Sequence, residues 1–434
     1  MHPYHDICLK GALDWLQETR KASARNGLRI CVLGGTGHGD KARQLAFCVG
    51  VRAKYPDAHI FFLAMPFAEG SAMVDYDMAC CAAESGTVDG YYFMAGVDRE
   101  PLVQDLLPHF DVLFDAIPYA VKAYWSNAVY ANEQYDADQL LAPYRWLYDA
   151  HPEDDHRLRH RAFNIWDVMS RSSGIEAMPF DLALVAPLDC APWPSLAELT
   201  TPLTSTGEVD PEATLAYIKE HVGSSDEKNL TLGYVGDYVI VHNSAGRGGR
   251  SKVAAPTVFK AIISFLVTEG VRAVQIGRHD DAKLADSVID RRGLRLPLSN
   301  RLLAAPECLG LIGIDSLPMY MAAGVGMVKQ HSKAAMILFG STDPRHFGLP
   351  GNMNCVHVRQ ADSGVQYACR LSGGTCFRLP GYGTGCMLPK EANDDPEHCL
   401  NTLPPEDAAH TAVDFVREQR ARRDDKTPVE EALA

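Results

Sequence analysis

Between Leu28 and Asp40 the chain reads LRICVLGGTGHGD, an apolar, β-branched run that gives way to Gly34, Gly35, Gly37 and Gly39. A short apolar run bounded by glycines reads as a buried strand entering a loop. The next segment, KARQLAFCVGVRAKYPDA, repeats its apolar residues at helical spacing before Pro56, and HIFFLAMP then resumes as strand. Strand, glycine loop, helix and strand in that order make an α/β unit.

The alternation is interrupted once and then starts again. FDVLFDAIPY adds a buried strand ending at Asp115 or shortly after, and residues 130–160, rich in Tyr, Asp and His, read as a surface insertion. A Pro-, Thr- and Ser-rich passage, APWPSLAELTTPLTSTGEVDPE, leads through the helix-like ATLAYIKEHV to polar GSSDEKN, which places a domain boundary there. Beyond it GDYVIVHNSAG is strand into a glycine loop, TVFKAIISFLVTEG a helix closed by glycine, and VRAVQIG a second strand. LGLIGID, MYMAAGVGM and AAMILFG follow as strand, helix and strand. At 434 residues the chain exceeds what one hydrophobic core normally organises, about 250–300 residues. Two parallel-sheet domains facing across a cleft are expected. Their expected bounds are 1–225 and 226–409, with 410–434 a last helix and a mobile tail.

Composition narrows the partners. Hydrophobic residues make up 47% and charged residues 22%, and no apolar run is long enough to cross a bilayer, so a soluble protein is expected. The first residues carry no basic segment followed by a long apolar core, which predicts a cytoplasmic address. A net charge of −14 argues against nucleic acid as a partner and leaves room for a local basic patch toward a phosphorylated ligand.

Two segments carry chemistry on their own residues. IGIDSLPMYMAAG, from Ile312 to Gly324, joins a strand to an acidic residue, a hydroxyl residue and a helix. Ligands of open α/β sheets sit beyond the carboxyl ends of strands, where a following helix offers unpaired N–H groups to an anion such as a diphosphate. Read alone, the same residues are better taken as an Asp-Ser helix cap with Pro318 in the first turn. The second segment holds Cys369, Cys376, Cys386 and Cys399 in glycine- and proline-rich loop, with gaps of six, nine and twelve residues. The spacing fits no standard zinc finger. Four cysteines in so polar a loop are nevertheless hard to explain as core packing, and we read a tetrathiolate site for structural zinc or iron in loop 369–399. Cys8, Cys31, Cys48, Cys80, Cys81 and Cys190 are read as packing residues, and Cys308 and Cys355 stay unassigned.

With AMILFGSTDPRHFG added, the Ile312–Gly348 stretch resembles the heptosyltransferase-like glycosyltransferases (glycosyltransferase family 9). Members of that family carry Gly-x-Asp-Ser/Thr-Gly, a small-residue helix, and Leu-Phe-Gly-Pro-Thr-x-Pro. The matching residues are Gly313, Asp315, Ser316, Ala322, Ala323, Leu338, Phe339, Gly340, Thr342 and Pro344. HNSAGRGGRSK is similar to the family's phosphate loop, VQIGRHDDAKL to its nucleoside loop, and GGTGHGDKARQLAFCVGVRAKYPDAHI to its N-terminal Gly-Asp loop, helix and strand entry. The likeness spans about Leu28 to Ala409 and is weak in the middle. The Cys-Leu-x-x-Leu-Pro-Pro-Glu-Asp ending resembles the autotransporter heptosyltransferases, some of which bear a cysteine-ligated iron in this region.

The resemblance implies a GT-B fold of two Rossmann-like domains, the first taking the acceptor and the second a nucleotide-activated sugar, by default heptose on ADP. It implies inverting transfer to a glycan or protein hydroxyl and admits a homo-oligomer. Asp40 stands at the Gly-Asp position as catalytic base, although it also suits a cap on the following helix. His38 would line the acceptor site. Lys252 would contact the donor phosphates, Asp281 or failing that Asp280 the ribose, and Asp315, Ser316, Leu317 and Gly340 the rest of the donor. Lysine, hydroxyl and helix end together compensate the leaving diphosphate, so no metal is required for catalysis. The family's Gly and His are replaced here by Leu317 and Tyr320, so the donor's identity does not transfer. Those replacements also support a rival reading, a catalytically silent scaffold that binds partners through its cysteine loop. An epimerase-type protein is disfavoured because no early Gly-x-Gly-x-x-Gly and no Tyr-x-x-x-Lys pair stands out. DAAHTAVDFVREQRARR has helical spacing, and in this architecture the last helix often crosses back to the first domain; DDKTPVEEALA reads as tail.

Overall fold

The computed structural model describes residues 25–35, 37–64, 85–93, 99–116, 122–125, 236–245, 252–329, 333–339, 355–359 and 403–430, with scattered further positions within 13–17, 74–82 and 174–175. Two compact units are present, Met1–Ser225 with Arg295–Pro297, and Asp226–Leu294 with Leu298–Ala434. The surface insertion read at 130–160 lies outside the described residues.

The first unit contains β1 (Arg29–Leu33), α1 (His38–Lys54), β2 (His59–Ala64), β3 (Gly90–Phe93), α2 (Arg99–Leu106), β4 (Val112–Asp115) and β5 (Lys122–Trp125). Its sheet has the order β3-β2-β1-β4-β5, parallel except for β5, which runs antiparallel to β4. Because β1 has neighbours on both edges and Ile30, Cys31, Val32 and Leu33 are all buried, it reads as a continuous apolar run with no polar alternation. Phe47 of α1 meets Phe114 of β4 edge to face, with ring centroids 5.4 Å apart. Arg52, in the last turn of α1, reaches Asp89 just before β3 and thereby holds that strand's entry.

In the second unit, β6 (Tyr238–Val241), α3 (Pro256–Thr268), β7 (Arg272–Gln275), β8 (Ile289–Asp290), α4 (Leu296–Ala304), β9 (Cys308–Ile314), α5 (Leu317–Lys329), β10 (Ala335–Phe339), β11 (Cys355–Arg359) and α6 (Pro405–Glu430) follow in order. The sheet is parallel throughout, ordered β11-β10-β9-β6-β7-β8. Val258, Phe259, Ile262, Ile263 and Leu266 form one buried stripe of α3, and Gly270, at φ 69°, ends that helix in the left-handed conformation glycine adopts without strain.

The last helix, α6, makes its larger contacts within the second unit. It packs along α3 and onto β9 of its own unit, where Ala408 and Ala412 permit close approach and Phe415 and Val416 are buried. A Cβ built on Gly310 of β9 would stand 3.0 Å from the Phe415 ring and 2.4 Å from the Ala334 carbonyl, so glycine is required where the helix crosses. Arg420 and Arg423 bind the Asp237 carboxylate, and Arg420 also donates to the Glu269 carbonyl beyond α3. The helix continues to Glu430, through most of the segment read as tail. Cys31, Cys48 and Cys81 are buried outside any disulfide, as expected of packing residues, and so is Cys308, which sequence left unassigned. Burial pushes the Cys48 thiol far up, leaving it an inert packing group.

Candidate active site

Each sheet has one place where the chain reverses its direction of travel. In the second unit that place lies between β6 and β9, and the crevice beyond the carboxyl ends of such strands is where open α/β sheets bind ligands. β6 delivers His242, Asn243 and Ser244 there, and β9 delivers Asp315 and Ser316.

Lys252 donates to Asp315 across 2.9 Å, with side chains 25% and 3% exposed. The lysine is set by its neighbours. Asn243 accepts from the Ala254 backbone N–H and donates to the Ala254 carbonyl, both at 2.9 Å, so the turn after Lys252 is pinned to the end of β6. Ser316 donates its hydroxyl back to the Ile314 carbonyl at 3.3 Å, and α5 begins at the next residue. Leu317 is half-buried, while Tyr320 is buried in the helix. Glycine at 313 suits the same corner, since a Cβ there would lie 3.2 Å from the His242 carbonyl.

The loop after β7 is built around Asp281. Its carboxylate accepts from Ser244 Oγ at 2.6 Å and from the Arg278 backbone N–H at 2.7 Å, and its side chain is 7% exposed. Gly277 has φ 143°, and a Cβ on it would fall 2.4 Å from an Asp281 oxygen, so the glycine makes room for the carboxylate. Gln275 fastens the other end of the loop by donating to the Ala282 carbonyl and accepting from the Leu284 N–H. Asp280 is 71% exposed, with Arg278 3.3 Å away. His242 is buried beneath this loop, its Nε2 2.7 Å from the Ser244 carbonyl and its Nδ1 3.2 Å from that of Ile276. Burial lowers its pKa, against the two carbonyls and the charge of Asp281, which act to raise it.

In the first unit the corresponding reversal lies between β1 and β4. A Cβ on Gly34 would overlap the Phe62 ring at 2.4 Å, so only glycine lets the chain leave β1 here. Gln44 of α1 accepts from the Gly35 N–H and donates to the Ala116 carbonyl, tying the glycine loop to the end of β4. Gly37 caps α1 and His38 is its first residue, which puts Asp40 inside the first turn. The cap alternative for Asp40 is therefore set aside. Asp40 is 48% exposed and pairs with Arg43 Nη2 at 3.1 Å. His38 is half-buried at the same turn.

The structure thus brings Lys252 to Asp315, and Ser244 to Asp281. Gly340 and the four cysteines Cys369, Cys376, Cys386 and Cys399 lie outside the described residues. Among the described residues no group of three or more His, Cys, Asp or Glu side chains is arranged to hold a metal, and no helix is long and apolar enough to cross a membrane. Asn243, Gln275, Gln44 and Arg43 were not singled out from sequence. Each except Arg43 acts on backbone atoms, and a backbone partner leaves no residue signature.

No family model and no curated protein matches the chain. Solved structures do. The glycosyl transferase family 9 protein from Veillonella parvula is 11% identical, with 90% of this chain and 97% of that chain covered and a TM-score of 0.47. The dodecameric iron-containing heptosyltransferase TibC, in complex with ADP-D-beta-D-heptose, is 11% identical over 92% of this chain and 79% of its own, with a TM-score of 0.49. A UDP-N-acetylglucosamine 2-epimerase from Listeria monocytogenes matches over 92% of this chain and 98% of its own at 12% identity and a TM-score of 0.34. Identities this low and TM-scores below 0.5 leave the chemistry to be read from the side chains.

Proposed function

We propose that the chain is an inverting glycosyltransferase of the heptosyltransferase-like family, moving a sugar from a nucleotide diphosphate donor to a hydroxyl of a glycan or protein. The observation that carries the reading is the Lys252–Asp315 pair, a cation held by a buried carboxylate at the carboxyl ends of β6 and β9. A lone lysine in a glycine-rich loop would be an ordinary solvated side chain. One fixed beside the start of α5 is placed to meet a diphosphate, whose charge also favours a helix N-terminus.

In this reading the donor's leaving diphosphate is stabilised by Lys252, by Ser316 and by the opening turn of α5, with Leu317 and Gly340 completing the contact. Asp315 orients the lysine and accepts from sugar hydroxyls. Asp281 shapes the nucleoside loop, and exposed Asp280 is available to the ribose. Asp40 removes the acceptor proton, with His38 beside the acceptor. No divalent cation is needed for this step, since lysine, hydroxyl and helix end act on the charge that develops. The sugar is by default heptose carried on ADP.

Cys369, Cys376, Cys386 and Cys399 would hold a structural zinc or iron. Their chemistry fits either ion, and a filled four-thiolate shell supplies rigidity to a loop and no open position for substrate.

The test is purified protein with a panel of nucleotide sugars, read for transfer and for donor hydrolysis. Asp40→Asn is expected to cut transfer to a small residual rate while calorimetric binding of the nucleotide persists. Absence of saturable binding to any ADP or UDP sugar would instead support the silent scaffold.

A further inference from the structure

We propose that Arg43 is a positioning residue that fixes the carboxylate of Asp40 for proton abstraction; this rests on Asp40 being the acceptor base. Residues three apart on a helix share a face, and helical side chains lean toward the N-terminus, so a side chain at position 43 reaches back over the first turn of α1. The guanidinium does this, with Nη2 3.1 Å from Asp40 Oδ1.

The two partners stand in different surroundings. The Arg43 side chain is 2% exposed, whereas that of Asp40 is 48% exposed. A half-exposed carboxylate is screened by solvent, so the pair adds little to folding stability. Placing a guanidinium in the interior is costly, and an apolar residue would pack there beside buried Ala42, Leu45, Ala46 and Phe47 without that cost. A buried, planar and permanently charged donor gives the carboxylate it binds a fixed direction, which an apolar residue would not. The other oxygen is confined too, since a Cβ on Gly37 would stand 2.9 Å from Asp40 Oδ2. Glycine at 37 and arginine at 43 thus select one orientation for an aspartate whose exposure would otherwise leave it several rotamers.

The step this serves balances without any further reagent. The acceptor O–H breaks and its proton passes to the Asp40 oxygen that Arg43 leaves unbound. The acceptor oxygen's electron pair forms the new bond to the anomeric carbon, and the bond from that carbon to the phosphate oxygen breaks, its pair leaving with the nucleoside diphosphate. In this proposal the effect of Arg43 on the reaction runs through the Asp40 carboxylate.

The test compares kcat for transfer from ADP-heptose, and ADP affinity by calorimetry, in the wild-type chain, Arg43→Met, Arg43→Lys, Asp40→Asn and Asp40→Asn/Arg43→Met. Arg43→Met is expected to lower kcat about 10- to 100-fold, the scale of a misplaced reacting group, with ADP affinity unchanged. Arg43→Lys should recover part of that loss. In the Asp40→Asn background, removing Arg43 should change the residual rate no further, because the two residues act as a unit. An unchanged kcat in Arg43→Met overturns the proposal, as does an equal loss in both backgrounds. If Arg43→Met does not fold, Arg43→Gln takes its place in the same cycle. Wild-type turnover by Asp40→Asn overturns the base reading itself and the positioning role with it.

Discussion

Lys252→Met and Asp315→Asn remove opposite halves of one ion pair, and the geometry makes their costs unequal. At a separation of 2.9 Å the gross attraction is about 6 kcal/mol for an effective dielectric of about 20, most of it offset by the water stripped from Asp315. Lys252→Met leaves a carboxylate that is 3% exposed without this cation, and a buried charge in that position costs about 3 kcal/mol. Asp315→Asn leaves an ammonium that is already 25% exposed and can turn to water, which holds the cost to about 1 kcal/mol. For a unit of this size each kcal/mol lowers Tm by about 2–4 °C, so the losses are about 6–12 °C for the lysine variant and 2–4 °C for the aspartate variant. The double variant should be more stable than Lys252→Met, because the stranded charge is gone. Thermal melts and urea titrations of the four proteins, followed through the second unit's transition, measure all three differences. Equal costs for the two single variants, or a larger cost for Asp315→Asn, would refute the reasoning.

Three further outcomes follow from named contacts. Burial pushes the Asp237 carboxyl up, but the hydrogen bonds and charges of Arg423 and Arg420 outweigh it and hold it below its ordinary value. Its contribution is therefore complete above the ordinary carboxylate value of about 3.9 and is lost as pH falls through the lower folded-state value; the stability difference between wild type and Asp237→Asn should be flat from about pH 7 to 5 and shrink as pH falls below about 4 in denaturant titrations. Gly277→Ala would put a Cβ 2.4 Å from the Asp281 carboxylate at φ 143°, and should destabilise the loop by about 1–3 kcal/mol and weaken nucleotide binding measured by calorimetry. Elemental analysis of protein purified without added metal should find one zinc or iron per chain, and replacing Cys376 and Cys386 with serine should remove it, with a lower Tm.

Most regular elements were legible because their signals are local. LRICVL gave β1, GDYVIVHNSAG gave β6, and the apolar stripe of TVFKAIISFLVTEG with its closing glycine gave α3 almost to the residue. β5 was not anticipated: KAYW reads like any short strand, and its antiparallel direction depends on β4 alongside it. The extension of α6 to Glu430 was missed because DDKTPVE is polar and carries no apolar stripe to mark a helix. Among site residues, Asp40 was singled out by the Gly-Asp motif, while Arg43 looked like one more polar position on a helix. Only burial distinguishes it.

By itself the sequence determined the alternation of strand and helix, the glycine loops at the strand ends, and which residue types stand there. These follow from periodicity and backbone sterics, which act over a few residues. Tertiary structure decided the strand order, and with it that β6 and β9 lie side by side although α3, β7, β8 and α4 separate them in the chain. That adjacency is what brings Lys252 to Asp315 across 63 positions of sequence. The pairing of two charges depends on distance and on the water excluded between them, and neither quantity exists until the sheet has formed.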